Sequence, residues 1–188
     1  YIAWQDLRSG SSQVFVQRLA AAGGIAPGWP VNGLATLAGT DATIALDPRG
    51  GLLVGITEYY GPNLGRVSPE GRFITGAPAI GVGQGTDLPG AAGAGRTEPP
   101  TPAAASKTPD CINPMLEPTP DGGMLLAWCR IGLYGNNVMV LRYGPDMQLA
   151  PGWPGPAAVD PVQSTKFAPG VCSGDSGAVF VAWVSWGT

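Results

Sequence analysis

The sequence predicts an all-β fold assembled from repeated four-stranded units, and three observations carry the prediction. Apolar residues alternate with period two in short runs, as strands with one better-packed face require. Turn residues separate the runs: Gly (30) and Pro (20) exceed a quarter of the 188 residues. One stretch of sequence also recurs at fixed spacing, and a repeat of this kind sets the architecture. Trp4, Arg18 and Gly28-Trp29-Pro30 return as Trp128, Arg142 and Gly152-Trp153-Pro154. Tryptophan to arginine is 14 residues in both copies, and arginine to glycine is 10. A third copy keeps Arg66 and Gly76-Ala77-Pro78 at the second interval, and a fourth begins at Val181-Ala182-Trp183.

The elements follow in order. The tryptophan strand reads Tyr1-Ile2-Ala3-Trp4-Gln5-Asp6-Leu7, then Leu53-Val54-Gly55-Ile56-Thr57-Glu58, Leu125-Leu126-Ala127-Trp128-Cys129-Arg130 and Phe180-Val181-Ala182-Trp183-Val184-Ser185. The large residue takes one face. Its small neighbour (Ala3, Gly55, Ala127, Ala182) takes the other, which predicts a closely approaching second sheet there. A strand precedes it, Ala42–Leu46 or Pro114–Glu117, joined by the hairpin turns Asp47-Pro48-Arg49-Gly50 and Pro120-Asp121-Gly122. A third strand follows, Gln13–Leu19 or Asn137–Tyr143, and carries the repeated arginine. Turns at Ala22-Gly23-Gly24 and Gly144-Pro145-Asp146 lead to the Gly-x-Pro segment, and a short fourth strand lies around Leu34–Leu37.

The units fall at 1–41, 42–81, 111–160 and 165–188, parts of one domain. Residues 82–110, rich in Pro, Ala and Gly without hydrophobic period, form an insert. Four-stranded units of roughly 50–55 residues packed face to face predict a β-propeller. About three to three and a half blades are expected here, with the ring incomplete in this chain. Trp4 and Trp183 hold equivalent positions, so closure within the chain would duplicate a strand. The chain opens on Tyr1 in mid-pattern, so a piece of something longer is expected.

Composition narrows the function. Charged residues are 12% and net charge is −3, which argues against a nucleic-acid surface. The absence of histidine removes the commonest general base and a major zinc ligand. No run approaches the roughly 18 apolar residues of a spanning helix.

The best copy, Ala3-Trp4-Gln5-Asp6-Leu7-Arg8-Ser9-Gly10, Gln17-Arg18-Leu19, Gly24 and Gly28-Trp29-Pro30-Val31-Asn32-Gly33, resembles propeller-like repeats of secreted and surface proteins of bacteria. The resemblance implies a large exported protein and is more specific for fold than for function. Later copies depart from it: Arg130 and Ser185 stand where Asp6 stands.

Gly174-Asp175-Ser176-Gly177 resembles the nucleophile motif of trypsin-like proteases, but the chain has no histidine to serve as base. A Ser-Lys pair with Lys166 has no spacing argument behind it. The segment aligns with the turns at Asp121-Gly122 and Arg49-Gly50, so a hairpin turn explains it. Ser173–Phe180 also fits the Asp-box of sialidases and related propellers, where the aspartate caps a turn. The arginines Arg18, Arg66 and Arg142 occupy one repeat position and read as structural rather than as a sialidase cluster. Structural roles are likewise expected for Trp4, Trp128, Trp183, Gly28, Gly76 and Gly152. Trp29 and Trp153 are candidates for an aromatic ledge that binds sugars, with seam-filling the competing role. Asp6, Asp47, Glu58, Asp121 and Asp146 lie in turns or at strand ends; a calcium ion there is conceivable, without the spacing of a calcium loop. No other metal or cofactor is expected.

Cys111 and Cys129 fall on opposing strands of one hairpin, where a disulfide would suit an exported protein, and a Cys129–Cys172 link between units is the alternative. The leading expectation is a non-catalytic extracellular, cell-surface or periplasmic scaffold that binds protein or polysaccharide. Two alternatives stand beside it: a fragment of a propeller hydrolase or lyase, and a structural subunit completed by other chains.

Overall fold

The computed structural model describes residues 1–8, 10–58, 61–74, 111–132, 135–160 and 164–186. Gly76 and the 82–110 insert lie outside the described residues. Among the described residues, thirteen strands form four sheets. Sheet I holds β1 (Ile2–Asp6), β2 (Gln13–Gln17) and β3 (Leu34–Ala38). Sheet II holds β4 (Thr40–Leu46), β5 (Leu52–Glu58), β6 (Gly61–Val67) and β7 (Phe73–Ile74). Sheet III holds β8 (Cys111–Pro118), β9 (Met124–Gly132), β10 (Gly135–Tyr143) and β11 (Ala157–Ala158). Sheet IV holds β12 (Thr165–Ser173) and β13 (Val179–Trp186). Every pairing is antiparallel and between consecutive strands, so each sheet is a meander. No closed ring is seen among the described residues, and none of their helices is long and apolar enough to cross a membrane.

The sheets stack face to face because the tryptophan strands are two-sided. On β5, Leu52, Val54 and Ile56 pack with Val14, Val16 and Ala3 of sheet I. Leu53, on the opposite face, joins Cys111, Leu116, Leu126 and Trp128 of sheet III. On β9, Leu125 and Ala127 pack against Val171, Val179 and Val181 of sheet IV. The large position thus faces the preceding sheet and the small one the following sheet. Gly55 shows why it is small: a Cβ there would lie 2.9 Å from Thr43 Cγ2 and 3.1 Å from Leu116 Cδ1.

The first strand of sheets II, III and IV contains a bulge. Register shifts between Thr40 and Thr43, between Ile112 and Met115, and between Phe167 and Gly170. The bulges place Asp41, Asn113 and Ala168 at φ of 49°, 54° and 46°, the left-handed region that side chains with a Cβ rarely adopt. The same local strain therefore recurs at one position in β4, β8 and β12. Beyond each bulge, Thr43, Met115 and Gly170 resume pairing opposite Gly55, Ala127 and Ala182.

Candidate functional site

The repeated arginine lies at the end of β2, β6 or β10, and Arg18 and Arg66 reach forward to the next sheet. Arg18 Nη1 donates to Pro69 O of sheet II at 3.0 Å. Arg66 Nη1 donates to Pro145 O of sheet III at 2.8 Å, and its Nη2 lies 3.4 Å from Gly122 O. Pro69 and Pro145 occupy the same turn in successive units, closed by Gly71 N–H to Ser68 O (3.0 Å) and by Met147 N–H to Gly144 O (3.1 Å). The arginine also holds its own sheet's first hairpin turn. Arg66 Nε pairs with Asp47 Oδ2 at 2.7 Å, both side chains being buried, and Arg142 Nη2 pairs with Asp121 Oδ2 at 2.8 Å. Arg66 thus ties two turns of neighbouring units, while Arg18 makes the forward contact and Arg142 the contact within its own sheet.

The fixed interval to glycine has an equally local cause. Ala26 N–H donates to Arg18 O at 2.9 Å, and Ala150 N–H donates to Arg142 O at 3.1 Å. Each alanine opens an Ala-Pro-Gly-Trp turn, closed by Trp29 N–H to Ala26 O (3.1 Å) and by Trp153 N–H to Ala150 O (3.0 Å). Gly28 and Gly152 sit at φ of 84° and 83°, as the third residue of a type II turn requires. The turn delivers the indole to the seam. Trp29 is 6% exposed, stacks edge-on against Tyr1, and donates from Nε1 to the same Pro69 O at 3.1 Å. Trp153 is half-buried and packs against the clusters on both faces of sheet III. Neither forms an open ledge.

The three bulges converge on an open cavity of about 450 Å³, lined by Asp41, Ala42, Asn113, Pro114, Met115, Ala168, Pro169 and Gly170. This cavity is built from the first strands of three successive sheets, β4, β8 and β12. Asp41 and Asn113 are its polar side chains, and both are exposed. Among the described residues no three His, Cys, Asp or Glu side chains cluster as metal ligands would.

Sheet I differs at its outer face. Trp4 stacks on Phe15 at 5.9 Å, and the Arg8 guanidinium covers the Phe15 ring at 4.4 Å. Arg8 is held by ion pairing with Asp6 and by Asn32 O, at 3.2 Å from its Nη1. The guanidinium and backbone N–H of Arg8, bonding the Asp6 carboxylate, hold that group down at about 2. Asp121 is also lowered, chiefly by the Thr119 hydroxyl it accepts from.

The protease-like segment is a hairpin turn. Asp175–Gly177 forms a single 3₁₀ turn between β12 and β13, with Gly174 N–H donating to Ala178 O at 2.8 Å. Lys166 lies at the opposite end of β12, fully buried, donating to Asn136 O at 3.1 Å and facing Asp160 Oδ2 at 3.7 Å. It stitches sheet IV to sheet III and does not approach the turn.

The cysteine pairings expected from the sequence are not formed. The register sets Cys111 opposite Arg130 and Ile112 opposite Cys129. Cys111 therefore shares the face of Trp128, and Cys129 points the other way, toward sheet IV. Cys172 is exposed while its neighbour Val171 takes the face toward Cys129, so the alternative link fails for the same reason. Burial pushes the Cys129 thiol up to about 11, with Lys166 opposing in part, and raises Tyr143 to about 12.

The sequence reading placed Pro145 in a turn without giving its carbonyl a role, and it named neither Pro69 nor the bulges. The recurrence of Ser68-Pro69-Glu70 and Gly144-Pro145-Asp146 after the arginine strand was the available sign for the two prolines. No family model matches the chain, and no curated protein matches it at a significant level.

Proposed function

We propose that the chain is a run of β-propeller blades serving outside the cell or at its surface as a non-catalytic scaffold for a protein or polysaccharide partner. The observation that carries this reading is where the repeated side chains go. Arg18, Arg66, Arg142 and Trp29 are spent on turns and seams, so what the sequence repeats is used for stacking. Propeller geometry accounts for the three inner-strand bulges meeting at one cavity, as blades around an axis would bring them together. Export and bacterial origin rest on the resemblance of the first repeat to secreted surface proteins.

The test combines binding and turnover. The purified chain is immobilised and challenged with a panel of soluble polysaccharides, and the same preparation is assayed on fluorogenic glycosides, sialosides included. Saturable retention of a polysaccharide without turnover is expected. Turnover that follows the protein through repurification would replace this reading with the hydrolase one.

A further inference from the structure

The first unit carries a polar contact that the third unit lacks and that the stacking of sheets does not use. Arg8 Nη1 donates to the backbone carbonyl of Asn32 at 3.2 Å. That carbonyl belongs to the peptide bond between Asn32 and Gly33. Asp6 holds the arginine in place, accepting from Arg8 Nε at 2.7 Å and from its backbone N–H at 2.8 Å. At the aligned positions of the third unit stand Gly132 and Pro156-Ala157, so the cation and the asparagine are absent there together.

An asparagine followed by glycine closes on the next peptide nitrogen more readily than any other pairing, because glycine puts no side chain in the way of the ring. The other asparagines are poorly placed for this reaction. Asn63, Asn136 and Asn137 precede Leu64, Asn137 and Val138, and Asn113 precedes Pro114, whose nitrogen has no hydrogen to lose. Ring closure needs the Gly33 N–H deprotonated. The charge of the peptide anion is shared between Gly33 N and Asn32 O, and Asn32 O is where Arg8 donates. A cationic donor placed where negative charge develops lowers the barrier. The opposing term is the hydrogen bond from Gly33 N–H to Pro30 O at 3.1 Å, which must open. Gln17 Nε2 also donates to Pro30 O, at 2.7 Å, so that carbonyl keeps a partner when the turn opens. Asn32 is exposed, which lets hydroxide and water reach it.

We propose that Asn32-Gly33 is a site of spontaneous covalent modification, at which Arg8 promotes closure of the asparagine to a succinimide. The Gly33 N–H proton passes to hydroxide, the bond from Gly33 N to Asn32 Cγ forms, and the Cγ–Nδ2 bond breaks. The leaving nitrogen takes its proton from water and departs as ammonia. Water then opens either carbonyl of the imide, leaving an aspartyl or an isoaspartyl linkage at position 32. The isoaspartyl form lengthens the backbone by one methylene beside Gly33. Space there is already short: a Cβ on Gly33 would lie 2.3 Å from Trp4 Cη2 and 3.3 Å from Val16 O. The modified turn therefore draws away from Trp4 and gives up Arg8.

The test holds the full chain at mildly alkaline pH and maps it by mass spectrometry, with fragmentation that separates aspartyl from isoaspartyl products. Conversion at Asn32 is expected, with Asn63, Asn113, Asn136 and Asn137 intact. Arg8→Ala should slow conversion of the folded chain at least threefold. In urea the two chains should react equally, since Arg8 is no longer held at Asn32 O. Salt supplies a readout without any variant: screening should slow the folded chain and leave the unfolded chain unchanged. Asn32 left intact in the folded chain while it converts in urea would overturn the site. Equal or faster conversion of folded Arg8→Ala, or a folded rate insensitive to salt, would overturn the part assigned to Arg8.

Discussion

At the residue scale, the repeated positions divide by what they touch. Arg66 and Asp47 form a pair with side-chain exposures of 7% and 4%, and the arginine's remaining donors are spent on sheet III. Removing one partner leaves a buried charge uncompensated, so Arg66→Ala should lose about 3–5 kcal/mol, read as a lower urea midpoint at unchanged slope. Asp6 gives the pH dependence. Its carboxyl is held at about 2 in the folded chain, below the ordinary carboxylate range. A depressed acid contributes stability in full above that ordinary range, and the contribution is lost as pH falls through about 2. The thermal midpoint should therefore drop between about pH 4 and about pH 2. Asp6→Asn should begin with a lower midpoint at neutral pH and show a shallower fall. The recurrence of Arg18, Arg66 and Arg142 was legible in the sequence. Their acceptors were not, because a backbone carbonyl on another sheet leaves no mark in residue type.

At the scale of the element, period two and turn residues located the strands well, since both are set by neighbours along the chain. The misjudged strands were β4 and β8, expected at Ala42–Leu46 and Pro114–Glu117 and observed as Thr40–Leu46 and Cys111–Pro118. A bulge shifts the alternation by one residue, so the pattern breaks where the strand continues. The same parity error made a disulfide between Cys111 and Cys129 look reasonable. Two cysteines on paired strands can be close in sequence register and still face opposite sides. The small residue of the tryptophan strand was read correctly as a point of close approach, and Gly55 offers the direct check. Gly55→Val would drive side-chain methyls into Thr43 and Leu116 and separate sheets II and III locally. A loss of about 1–3 kcal/mol is expected from chemical denaturation.

At the scale of the whole molecule, burial is graded along the stack. β5 and β9 are covered on both faces, from Leu52 through Ile56 and from Met124 through Cys129. By contrast β13 leaves Phe180, Val184 and Trp186 exposed, and on sheet I the Arg8 guanidinium covers the Phe15 ring that stacks on Trp4. Hydrogen exchange followed by mass spectrometry should find the slowest amides in β5 and β9 and the fastest strand amides in β13. Equal protection in all four sheets would contradict the graded stack. The sequence by itself determined the all-β class, the order of the strands and the recurrence of the Gly-Trp-Pro triplet, because each depends on residues within a few positions of one another. Only the tertiary structure decided that one arginine spans two units, that three strained bulges share a cavity, and that the cysteines face apart. Those outcomes depend on register and on the approach of sheets distant in sequence, where a change of one residue turns a side chain to the opposite face.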